Sequence, residues 1–96
     1  MPTPLPDNDI QQALSGLPHW TRAGDSIQRK FEFPDFRGAM AFVTKVADIA
    51  ESINHHPDIN ISYNHVTLSL TSHDSGGITN RDLKLAAQID DVLDSR

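Results

Sequence analysis

The stretch Ile59-Asn60-Ile61-Ser62-Tyr63-Asn64-His65-Val66-Thr67-Leu68-Ser69-Leu70-Thr71 alternates apolar and polar residues, and the alternation slips phase once, at Asn64-His65. Period two is the pattern of a strand with one buried face, because successive side chains point to opposite sides. The phase slip therefore predicts two strands, over 59–63 and 66–70, paired as a hairpin that turns near Asn64-His65 without the favoured Asn-Gly signal. Upstream, Ile27, Phe31 and Phe33 face one way and Gln28, Lys30 and Glu32 the other, with Arg29 as the exception. This is a third half-buried strand, closed by Pro34. Ala23-Gly24-Asp25 reads as a turn from a short strand that follows Trp20.

Between these strands, Phe36, Met40, Val43, Ala47, Ala50 and Ile53 recur at helical spacing, and Ala39, Phe42, Val46 and Ile49 widen the stripe. So broad an apolar face suits packing across a sheet. Asp35 can cap this helix, and Asn54 with Pro57 ends it. Two shorter helices are expected. One runs from a cap at Asp7 or Asn8 to about Leu14, after an irregular segment over 1–6. The other starts at Thr79, with Asp82 completing a shortened capping box. It buries Leu83, Ala86, Ala87, Ile89, Val92 and Leu93 and turns Asp90, Asp91 and Asp94 outward. The expected fold is α+β: an antiparallel sheet of about four strands with helices packed on one face, as a single domain over 1–96. An edge strand or the uncovered face is the natural place for a partner subunit. Tyr63 and the phenylalanines at 31, 33, 36 and 42 read as core.

Eight Lys+Arg against thirteen Asp+Glu give a formal charge of -5 over 96 residues, with the basic residues scattered, so direct nucleic-acid binding is not expected. There is no cysteine, hence no disulfide and no thiolate chemistry. No apolar run approaches a membrane span, and Met1-Pro2-Thr3-Pro4 does not resemble a signal peptide, so the expected location is the cytoplasm.

The chemistry-bearing residues are histidines. Glu51-Ser52-Ile53-Asn54-His55-His56-Pro57-Asp58 holds two of the five, and His73-Asp74-Ser75-Gly76-Gly77 a third. Imidazole both gives and takes protons near neutrality. Glu51 lies one helical turn before His55 and would orient it if the helix persists that far. A solvated helix end is the plain alternative. A metal site would need convergence of His55, His56 and His73 with Glu51 or Asp74, but adjacent histidines diverge and no metal-binding motif is present. Ser72 and Ser75 lack a nucleophile elbow. His65 falls in the expected turn, His19 has a local role, and Trp20 fits either the core or a stacking wall. Arg81 and Asp82 begin the last helix, bordering a pocket or simply solvated.

With Glu51-x-x-x-His55-His56-Pro57-Asp58, Tyr63-Asn64-x-Val66, Leu70-Thr71-Ser72-His73-Asp74, Gly77-Ile78-Thr79 and Arg81-Asp82, the chain resembles the pterin-4a-carbinolamine dehydratase family over most of residues 10–94. Ile59 stands where some relatives carry an aromatic residue. The resemblance implies a lyase that removes water from a 4a-hydroxytetrahydropterin to give the quinonoid dihydropterin, with no cofactor and no metal. It implies His55, His56, His73 and Glu51 as catalytic residues; Asp74, Trp20 and Arg81 are the expected substrate contacts. A homodimer or homotetramer is implied. The alternative is a non-catalytic dimerisation cofactor of a transcription factor, a role that some members of the family also have.

Overall fold

The computed structural model describes residues 3–94, and of Asp94 only the backbone. Met1 and Pro2, part of the irregular segment expected over 1–6, lie outside the described residues, as does the outward turn expected of the Asp94 side chain. The order is α1 (Asp7–Ser15), β1 (Thr21–Ala23), β2 (Ser26–Glu32), α2 (Phe36–Ile53), β3 (Asp58–Ser62), β4 (His65–Leu70), a 3-10 turn (His73–Ser75) and α3 (Asn80–Asp94). The four strands form one antiparallel sheet in the order β1-β2-β4-β3. Ile27 and Phe31 of β2 and Val66, Leu68 and Leu70 of β4 are buried on the face that α2 and α3 cover with Phe42, Val46, Leu85 and Ile89. Each fully buried Leu or Ile of this layer contributes roughly 1.5–3 kcal/mol.

Local sequence explains the joints. Gly24 takes the positive φ of 62° at the first of two turn residues between β1 and β2, which glycine reaches without a Cβ clash. The Asp35 carboxylate accepts from the Gly38 amide at 2.8 Å and starts α2 as an N-cap. Asn54, at φ 53°, ends α2 in the left-handed region. Its amide and that of His55 return to Glu51 and Ala50, at 3.3 and 3.1 Å, closing a Schellman motif. At α3 the capping box forms as expected: the Asp82 carboxylate accepts from the Thr79 amide at 2.9 Å, and Thr79 Oγ1 from the Arg81 amide at 3.2 Å.

Several details differ from the sequence expectation. Pro6 rather than Asp7 or Asn8 precedes α1, without a side-chain cap, because Asp7 instead pairs with Arg22 at 2.8 Å. The β3–β4 turn is Tyr63-Asn64, one residue early, so His65 belongs to β4 and faces Glu32 at 3.3 Å. Tyr63 takes a positive φ there and is 65% exposed, and Phe36 is 49% exposed, so neither is core. On α2 the buried line is Ala39, Phe42, Val46 and Ala50, whereas Met40 and Ala47 face outward. On α3, Leu85 is buried, Ala87 is exposed, and Asp90 turns inward to an ion pair with Arg29 at 2.6 Å.

Candidate active site

The antiparallel order brings the start of β2, the start of β3 and the end of β4 to one end of the sheet, since Ile27 pairs with Leu70 and Asp58 with Ser69. His55 and His56 immediately precede β3 and His73 follows β4, so all three are delivered to that end.

His55 is buried, and its Nε2 lies 2.5 Å from Asp82 Oδ1. Asp82 has no exposed surface, and its other oxygen accepts from Ser72 Oγ and from the Thr79 amide, both at 2.9 Å. Ser72 Oγ is also 2.8 Å from Thr79 Oγ1. An ionised carboxylate only accepts, so the protons can be assigned. His55 Nε2–H and Ser72 Oγ–H both donate to Asp82, and Thr79 Oγ1–H donates to Ser72. Nδ1 is then the nitrogen of His55 left for other work. Through Asp82, the segment bearing His55 and the segment bearing Ser72-His73 are held against the first turn of α3.

Glu51 was expected to orient His55. It instead pairs with His56 Nε2, on the exposed side. The reason is the Schellman turn: the chain leaves the helix at Asn54, so the residue one helical turn from Glu51 is no longer on its face. His73 opens the 3-10 turn, which the Ser72–Gly77 bridge closes with two backbone hydrogen bonds of 3.0 and 3.3 Å. Gly76 reverses the chain there at φ 78°. Arg81 braces the same turn, donating to Asp74 at 2.5 Å. This pairing, first through the hydrogen bond, holds the Asp74 carboxyl below the usual aspartate value. The N-terminal segment backs the turn from outside, with Leu5 N–H donating to Ile78 O at 2.9 Å.

His73 lines a cleft of about 380 Å³ together with Asp25, Ser26, Asp58, Ser69, Thr71 and Gly76-Gly77; His55 and His56 are not among its lining residues. The strand residues among them point to the uncovered polar face. Of the expected site residues, Asp74 and Arg81 thus engage each other beside His73. Trp20 is elsewhere: it is 3% exposed, packs edge-on to Phe31, and donates Nε1–H to Asp90 at 3.0 and 3.1 Å. Asp90 is two turns beyond Asp82, about 12 Å along α3. Sequence reading missed the cleft residues Asp58, Ser69 and Thr71; the polar side of the period-two strands was the available signal. Among the described residues no group of three or more His, Asp or Glu is placed to hold a metal ion, and no helix is long and apolar enough to cross a membrane.

Fold and site together define a small α+β protein with one imidazole, His73, lining a polar cleft and two more, His55 and His56, brought to the same end of the sheet, a setting for proton transfer on a small polar molecule. The family described as pterin 4 alpha carbinolamine dehydratase matches residues 3–92. A candidate pterin-4-alpha-carbinolamine dehydratase of Koribacter versatilis (strain Ellin345) is 54% identical over 88 residues, covering 92% of this chain and 94% of that protein. One of Roseiflexus sp. (strain RS-1) is 50% identical over 93 residues, covering 97% and 100%. A crystal structure described as a transcriptional coactivator/pterin dehydratase from Brucella melitensis superposes with a TM-score of 0.90 at 32% identity, covering 94% of this chain and 98% of that one. A pterin dehydratase-like RuBisCO assembly factor of the alpha-carboxysome shares the fold, with a TM-score of 0.60 at 22% identity over 74% of this chain and 82% of its own. The chain belongs to the pterin 4 alpha carbinolamine dehydratase family. It is accordingly a lyase of pterin dehydration.

Proposed function

We propose that this chain, as one domain, removes water from a 4a-hydroxytetrahydropterin in the cleft beside His73 by histidine acid/base catalysis. In that reaction the C4a–O bond breaks as a protonated group donates to the departing hydroxyl, giving water. A base removes the N5 proton, and the freed electron pair forms the C4a=N5 bond of the quinonoid product. His56 and His73 flank the reacting region, one as acid and one as base. His55 presents Nδ1 from a ring fixed by Asp82. The observation carrying the proposal is the Asp82 carboxylate, which joins His55 to the residue before His73 and so supports one constellation built from two distant segments. Fixing the ring in advance spares its rotational entropy in the transition state.

The reaction is placed in the cytoplasm, in keeping with a cysteine-free chain. The subunit is read as pairing with a second copy, in a homodimer or homotetramer, through β3. That strand is outermost in the sheet, and all five of its residues are exposed. An unpaired edge of this kind is a ready template for another strand.

Dehydration kinetics test the proposal. Folded His56→Ala and His73→Ala proteins are expected to lose activity by roughly 10²-fold or more. The wild-type rate should depend on pH between about 5 and 8, where imidazoles titrate. Unchanged turnover in both variants would refute the assigned roles. Wild-type inactivity on the hydroxylated pterin would instead leave the non-catalytic cofactor reading.

A further inference from the structure

The acid/base step does not use the cleft's two carboxylates. Asp7, Glu32, Glu51, Asp74, Asp82 and Asp90 each have an arginine or histidine partner. Asp25 and Asp58 line the cleft, and neither carboxylate has such a partner among the described residues. Asp58 stands opposite Ser69 in the β3–β4 register, so its side chain projects from the uncovered polar face into the same space as those of Ser69 and Thr71. Two carboxylates without a cationic partner, beside hydroxyls that can also accept, make a wall rich in acceptors. The ligand edge that suits it carries N–H groups.

The next step rests on the pterin reading. A pterin has such an edge, with N3–H and the 2-amino N–H side by side and nearly parallel. That spacing matches the two oxygens of one carboxylate. The edge lies across the bicyclic ring from N5, away from the bonds that change. We propose that Asp58 is the specificity-determining residue of this site and accepts both donors of the aminopyrimidinone edge. Asp58 is favoured over Asp25 because it is carried by a strand, whereas Asp25 sits in the β1–β2 turn with its carbonyl already accepting from Thr71 at 2.5 Å. A rigid element positions a recognition group better than a turn does. His56-Pro57-Asp58 then sets the acid/base group and the recognition group on one short, proline-stiffened segment, which fixes the orientation of the ring between them.

The test compares the wild-type chain with Asp58→Asn and Asp58→Ala. Calorimetry would measure binding of an unreactive 7,8-dihydropterin and of its 2-oxo counterpart, which turns an acceptor toward the carboxylate; dehydration kinetics would run alongside. The wild-type protein should prefer the 2-amino compound by about tenfold to a hundredfold. Both variants should lose most of that preference, with KM rising more than kcat falls. Asp58 is exposed, so both variants are expected to melt with the wild type, and either one that does so decides the matter. A preserved preference in a variant of native stability would overturn the Asp58 assignment while leaving the pterin reading standing. Failure of the wild-type protein to bind either compound would overturn both.

Discussion

Asp82 is a residue whose removal should be costly. Its carboxylate is fully buried and accepts from an imidazole, a hydroxyl and a backbone amide. Replacing it by alanine strands three donors in a region that water does not reach. Asp82→Ala should therefore lower unfolding stability by about 3–5 kcal/mol, read from urea melts. A loss under about 1 kcal/mol would show that the network is dispensable. The sequence showed Asp82 as a capping residue, because a cap is a local pattern of fixed spacing. The arrival of His55 at the same carboxylate was invisible, since it depends on where a distant turn delivers the ring. Glu51 shows the converse error: helical spacing was the right rule, applied one residue past the point where the helix stops.

At the scale of elements, the pair Asp74–Arg81 ties the 3-10 turn bearing His73 to α3. The folded pKa of Asp74 is depressed below its ordinary value of 3.8, so the charged form is the one the fold favours. The stabilisation is present above the unfolded carboxylate pKa and is lost as pH falls through the lower folded value. Asp74→Asn should consequently melt earlier than wild type at pH 7, and the gap should close in strong acid, as thermal melts across pH would show. A gap independent of pH would point away from the ion pair. The bounds of α2 were legible because its cap and its left-handed stop are local signals. Its buried line was not, because the stripe was broad enough to offer two sides, and the neighbouring α3 and β4 chose between them. The exposed apolar residues of β3 alternated as well as those of β4, yet of these two strands β4 is interior to the sheet and β3 is at its edge.

For the whole molecule, the layout leaves β1 and β3 as sheet edges, and β3 is the one that carries exposed isoleucines. Ile59 and Ile61 share the helix-facing side with Leu68 and Val66, but lie beyond the covering helices and stay 39% and 36% exposed. If a second copy covers them, Ile61→Lys should shift the protein toward monomer in light scattering at micromolar concentration while its monomer fold persists. A wild-type protein already monomeric at high concentration would remove the proposed pairing. On the side of the sheet away from β3, just before β1, Trp20, the sole tryptophan of the chain, is buried against Phe31; its indole nitrogen is held by Asp90, while Arg29 lies 4.5 Å from the centre of the Phe31 ring. Three separate parts of the chain meet at that one fluorophore. Its emission colour is thus an optical gauge of whether α3 sits on the sheet, set apart from the cleft and read without any label.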